Sequence, residues 1–394
     1  MKLSQRAERL APSATLAMAA KANKMRKDGI DVISFATGEP DFDTPENIRN
    51  TGMQAIDEGF TRYTPSAGIP ELRNSIARKL KKDNDLSYNN DEIVVTCGAK
   101  QAIYNALQVL VDAGDEVLIP APYWVSYPEQ VKLADGTPVI IPTDVNSSFK
   151  INPEIVEKHL TKNTKVIILN SPSNPTGSAY TPDELASLGE FLVKHKITII
   201  SDEIYEKLVY GDFFQKSIAT ACPGARDSTI VINGVSKAYA MTGWRMGYAA
   251  GPRNVISKMA SLVGQQNSGI PAFVQLACIE ALEGPQVEIE RMKAEFKSRR
   301  DFMLESLLRI PGIVCPVPSG TFYLFPDVSS YFNESKGVAD STALAEYLLT
   351  EAHIATVSGD AFGSPGNIRF SYANSMNNIK TGMERLSTAL KQLK

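Results

Sequence analysis

The chain has 394 residues, 43% hydrophobic and 22% charged, with a formal net charge of -3. That length exceeds one ordinary core and is enough for two domains of globular composition. The near-neutral charge gives no reason to expect nucleic acid or an anionic membrane as partner, and no single-sign run is long enough for an interaction tail.

In chain order, the stretch Met1 to Arg9 meets charge almost at once and holds no apolar signal core. No later segment approaches the uncharged apolar run of a membrane span, so a cytoplasmic location is expected. Glu92–Thr96 is β-rich and leads into Lys100–Leu107, which has helical periodicity. Glu116–Ile119, Lys165–Leu169, Ile197–Ile200 and Thr229–Ile232 repeat the pattern. Each is a continuous apolar run, the mark of strands buried on both faces of a mainly parallel sheet. Between two of them, Thr181-Pro182-Asp183-Glu184 predicts a helix start, with threonine as cap and proline in the first turn. A long charge-rich helix is expected around Glu288 to Leu308, then a strand-like Gly320–Phe325, then mixed helix and strand from Ser341 onward, including Asn367–Ser371. These elements predict α/β architecture. Residues 1–44 are expected to form an arm and part of a small domain, 45–285 a large domain, and 286–394 a smaller α+β domain.

The four cysteines, Cys97, Cys222, Cys278 and Cys315, stand singly without CxxC spacing and read as reduced thiols. His159, His195 and His353 make no HxxxH or HExxH pattern, so no metal site is expected and histidine acid/base chemistry has little room. A different group has to carry the chemistry. Gly234-Val235-Ser236-Lys237 directly follows a predicted strand, and Arg245 comes eight positions after the lysine among glycines. A lysine amine can attack an aldehyde and form an imine, which is how pyridoxal 5'-phosphate is held. Ser236 and Arg245 would meet its phosphate, where a planar guanidinium pairs well with oxygens. A lysine after a strand is by default a surface residue; the whole pattern from Gly234 to Gly247 tips the reading the other way.

That pattern resembles the lysine-attachment segment of the class I, fold-type I aminotransferases. The resemblance extends over nearly the whole chain and is strongest to the bacterial aspartate-type subgroup typified by thermophile enzymes. It implies a large cofactor-binding domain with a mainly parallel sheet flanked by helices, a smaller α+β domain, and a homodimer. Pyridoxal phosphate acts as an electron sink when its ring nitrogen stays protonated, which needs a carboxylate nearby. By resemblance that carboxylate is Asp202, which could otherwise simply cap the next helix. The resemblance makes Tyr205 and Asn174 donors to the ring oxygen and implies cis bonds before Pro172 or Pro175. Gly98, Ala99 and Lys100 match the phosphate cup at a helix start, with alanine where many members carry serine. Trp124 matches the aromatic that stacks on the ring. Tyr63 resembles the tyrosine that reaches the phosphate from the neighbouring subunit. Asn174, Asp202 and Lys237 all lie beyond the carboxyl ends of predicted parallel strands, where open α/β sheets bind ligands.

For substrate, Arg369 matches the residue that forks onto the α-carboxylate, and Gly38 matches a loop that approaches the same group; the plain readings are a strand arginine and a turn glycine. Lys100 and Thr15 stand where the subgroup receives a side-chain carboxylate. Ala11 occupies a position that tends to be basic in members that also accept prephenate. The resemblance therefore implies transamination between L-aspartate and 2-oxoglutarate. Another amino donor, a C–S lyase on the same fold, and a regulatory protein that senses pyridoxal phosphate are the rivals. The last of these carries a DNA-binding domain ahead of the fold, for which the acidic balance and the short arm give no support.

Overall fold

The computed structural model of the chain describes residues 2–12 and 14–393. Its strands in chain order are β1 (Ile33–Ser34), β2 (Ile93–Thr96), β3 (Glu116–Pro120), β4 (Thr137–Ile141), β5 (Thr164–Asn170), β6 (Thr198–Asp202), β7 (Thr229–Gly234), β8 (Gly247–Ala250), β9 (Tyr323–Leu324), β10 (Ile354–Ala355), β11 (Val357–Ser358) and β12 (Ile368–Ser371). Seven form one sheet in the order β2-β8-β7-β6-β5-β3-β4. All neighbours are parallel except β8, which runs against both β2 and β7. Its central strands are rich in isoleucine and valine and have almost no solvent exposure, because helices cover both faces.

Five of the seven strands answer to the predicted apolar runs; β4 and β8 are additions. β4 is an edge strand holding Pro138, which a ladder tolerates at the edge. β8 is Gly-Tyr-Ala-Ala, in which Tyr248 is the one large side chain. A Cβ on its first residue, Gly247, would lie 2.3 Å from the backbone nitrogen of Ala99, so glycine there is what allows the helix start after β2 to rest on it.

The predicted helix start at Thr181 is present as a full capping box, with the Thr181 and Glu184 side chains each accepting from the other's backbone N–H. The long helix covers Val287–Leu308. The strand expected over 320–325 shrinks to β9, because Thr321 takes a positive φ of 66° and turns the chain just before it. β9 pairs antiparallel with β12, and β12 with β11. One hydrophobic core gathers Met18, Ala22 and Phe35 from the start of the chain with Phe296, Phe322, Phe370 and Leu386 from its second half. β1 pairs with β10 beside it. Among the described residues no helix is long and apolar enough to cross a membrane.

Candidate active site

β5, β6 and β7 end at Asn170, Asp202 and Gly234, and the register sets Asn170 beside Asp202. Their carboxyl ends open on a cavity of about 430 Å³. Every predicted site residue except Tyr63 lines it.

Asp202 is 3% exposed. Its Oδ2 accepts from the Tyr127 hydroxyl at 2.7 Å and its Oδ1 from the Ile204 N–H at 3.2 Å. Burial pushes its carboxyl up to about 6, although both hydrogen bonds and the charge of Lys237 pull the other way. Lys237 follows β7, and its Nζ donates to the Gly38 carbonyl at 2.8 Å. Burial brings its amine down to about 8; Glu39 and Asp202 oppose that shift, while the cations Arg369 and Arg245 add to it. An amine so tuned is partly neutral near physiological pH, the state in which it attacks a carbonyl.

Arg369 comes from β12 and is 2% exposed. Its Nη1 donates to Asn174 Oδ1 at 3.0 Å and its Nη2 to the Ala36 carbonyl at 2.7 Å, while Nε is buried without a hydrogen-bond partner. Asn174 is held in turn, its N–H donating to Asn170 Oδ1 at 2.8 Å. The peptide bonds before Pro172 and Pro175 are both cis, as is the one before Pro122. Tyr205 is buried, with its hydroxyl 3.1 Å from that of Tyr323.

At the opposite wall, Gly98 caps the helix Ala99–Leu110 with φ 78°. The orphan N–H groups of that first turn and the positive end of the helix dipole make an anion seat. Arg245 is exposed beside it and held by its own loop, Nη1 donating to the Thr242 carbonyl at 2.7 Å. Lys100 Nζ lies 4.7 Å from the centre of the Trp124 ring, and burial and Arg245 lower its proton affinity. Ser236 and Thr15 complete this side. Tyr63 stays apart. It is 96% exposed and lines a different groove with Asn267–Phe273.

The aminotransferase class I and II family matches residues 30–386. An aspartate aminotransferase of Geobacillus stearothermophilus is 46% identical over 389 residues, covering 98% of each chain. A probable aspartate/prephenate aminotransferase of Aquifex aeolicus is 44% identical over 393 residues, covering 99% of each. The structure of a Thermus thermophilus aspartate aminotransferase with maleate superposes with a TM-score of 0.94 at 40% identity, covering 99% of this chain and 100% of that one.

The chain belongs to the class I and II aminotransferases.

Sequence reasoning missed several residues of this aminotransferase's cavity. Tyr127 sits at the start of the helix Ser126–Leu133, three positions after Trp124 in the segment before it, and nothing in that spacing names a partner. Tyr323 and Asn170 end or flank strands and reach the cavity through tertiary placement alone. Glu39 and Thr242 hydrogen-bond each other across its mouth.

Proposed function

We propose that this aminotransferase moves the amino group of L-aspartate to 2-oxoglutarate in two half-reactions, releasing oxaloacetate and L-glutamate, with pyridoxal 5'-phosphate held on Lys237. The observation that carries the reading is the meeting, in one cavity, of a half-buried amine, a buried carboxyl and a buried arginine with a free N–H. The shape fits the cofactor as well. A Cβ on Gly98 would come within 2.6 Å of Arg245 Nη2, so glycine is what lets the guanidinium close on the helix start, where the two together would hold a phosphate.

Pyridoxal phosphate, when bound, supplies an electron sink for the pair left when the substrate Cα loses its proton. Asp202 would hold the ring nitrogen cationic, gaining the charge partner its burial lacks. Tyr205 and Asn174 would donate to the ring oxygen, and Trp124 would cover the ring face. Ser236, Arg245 and the backbone from Gly98 to Lys100 would hold the phosphate. Arg369, buried and free at Nε, would take the α-carboxylate beside Gly38. Lys237, displaced by substrate, would move the Cα proton. Lys100 and Thr15 would receive the side-chain carboxylate; the Thermus relative's complex with maleate, a dicarboxylate, supports this part.

The same reading makes the enzyme a cytoplasmic homodimer in which Tyr63 serves the partner's site. Residues 45–285 would form the large domain, and the arm with 286–394 the small one, whose closure excludes water. Lys237→Ala should abolish both the visible absorption of bound cofactor and turnover; full turnover in that variant would refute the reading. Lys100→Ala should cut kcat/KM for aspartate by roughly tenfold to a hundredfold, as loss of a charged contact does, and leave alanine or phenylalanine nearly unchanged. An equal fall for all substrates would favour an aromatic or prephenate donor.

A further inference from the structure

We propose that Tyr323 is a further positioning residue, holding the Tyr205 hydroxyl from behind and tying it to Arg369. This rests on the reading that Tyr205 faces the cofactor's ring oxygen.

β9 lies against β12 with Tyr323 opposite Ser371. Arg369, two residues from Ser371, therefore shares that face and is the diagonal neighbour of Tyr323. Its guanidinium packs 4.5 Å from the Tyr323 ring centre, with Phe362 at 5.1 Å. The Tyr323 hydroxyl sits against Gly38, where an added Cβ would come within 2.6 Å of it. It is 3.1 Å from the Tyr205 hydroxyl, a contact between the small sheet and the turn after β6. At rest either hydroxyl can donate to the other. Once Tyr205 turns its hydrogen to a ring oxygen, Tyr323 is placed to donate to the oxygen that Tyr205 leaves open. Linked hydrogen bonds polarise one another, so Tyr205 becomes the stronger donor. The same ring rests on Arg369, so seating of the substrate α-carboxylate bears on the tyrosine that steadies the cofactor.

The test is a pH titration of the visible absorption of bound cofactor in the holoenzyme, which follows protonation of the Lys237 nitrogen. Tyr323→Phe keeps the ring on Arg369 and removes only the hydroxyl. A weaker Tyr205 donor leaves the protonated form favoured, so the midpoint should rise by roughly half a unit to one unit, the scale of one hydrogen bond. The other charged and titratable groups facing that nitrogen, Asp202, Glu39, Arg245 and Arg369, are unchanged and do not contribute to the difference. In a Tyr205→Phe background the same substitution should move the midpoint far less. An unshifted midpoint, or an equal shift in both backgrounds, overturns the proposal while leaving the cofactor reading intact. A wild-type protein that never develops the visible band overturns the cofactor reading, and this proposal with it.

Discussion

Asp202 shows how function sets a residue against folding. A carboxylate that is 3% exposed lacks the water that would stabilise its charge, and the Tyr127 hydroxyl and Ile204 N–H only partly replace it. The result is a carboxyl pushed up to about 6. The folded chain thus holds this proton more tightly than the unfolded chain, whose carboxyl titrates near 4. Its contribution to stability is full below about pH 4 and is lost as pH rises to about 6, at a cost of up to about 3 kcal/mol. Asp202→Asn, which cannot ionise, should therefore raise the melting temperature of the cofactor-free protein at pH 8 by several degrees and change it little at pH 4.5. The same substitution should lower transamination at least a hundredfold. Thermal melts at the two pH values check this, and a lower melting temperature for the variant at pH 8 would contradict it.

Among the elements, the turn from β2 into the helix Ala99–Leu110 is closely constrained. Gly98 has φ 78°, which favours glycine, and the space a side chain would need is taken by Arg245. Gly98→Ala should weaken pyridoxal phosphate binding more than tenfold, measured by titrating cofactor into apoprotein, while costing stability only roughly 1 kcal/mol. Unchanged affinity would mean that this turn does not hold the phosphate. The strands that position the site were legible because β2, β3, β5, β6 and β7 are buried on both faces and so read as unbroken apolar runs. β4 escaped notice because an edge strand with a proline and partial exposure interrupts the run. β8 did so because it has only four residues, a glycine required by the contact with Ala99 and two alanines beside Tyr248, and so shows no bulky apolar run. The same logic divides the cavity. Asn174, Asp202 and Lys237 could be found because they follow strand ends. Tyr127 and Tyr323 could not, because a hydroxyl's partner is fixed only when distant segments meet.

At the scale of the whole molecule, Tyr63 is the residue whose placement within one chain makes least sense. It is an aromatic with 96% of its surface exposed, outside its own chain's cavity, and the preceding helix Glu46–Asp57 also leaves Met53 and Ile56 largely uncovered. Large apolar groups left open in this way are what a partner subunit would cover. In a two-fold dimer each copy's Tyr63 would reach the other's phosphate seat, so the two cavities would share residues. Mixed dimers distinguish this arrangement from a purely structural role. Lys237→Ala would remove the amine from the cavity built on its own chain but keep a usable Tyr63. Tyr63→Ala keeps its own Lys237 but cannot serve its partner. Each homodimer should be impaired, the first without turnover and the second with pyridoxal phosphate bound several-fold more weakly. A hybrid of the two pairs an intact Lys237 with an intact Tyr63 in one of its two cavities. At limiting cofactor, unfolding and refolding the variants together should therefore restore activity well above that of either alone, approaching half the wild-type value per hybrid dimer. If Tyr63 acted within its own chain, no cavity in the hybrid would be whole and mixing would restore nothing.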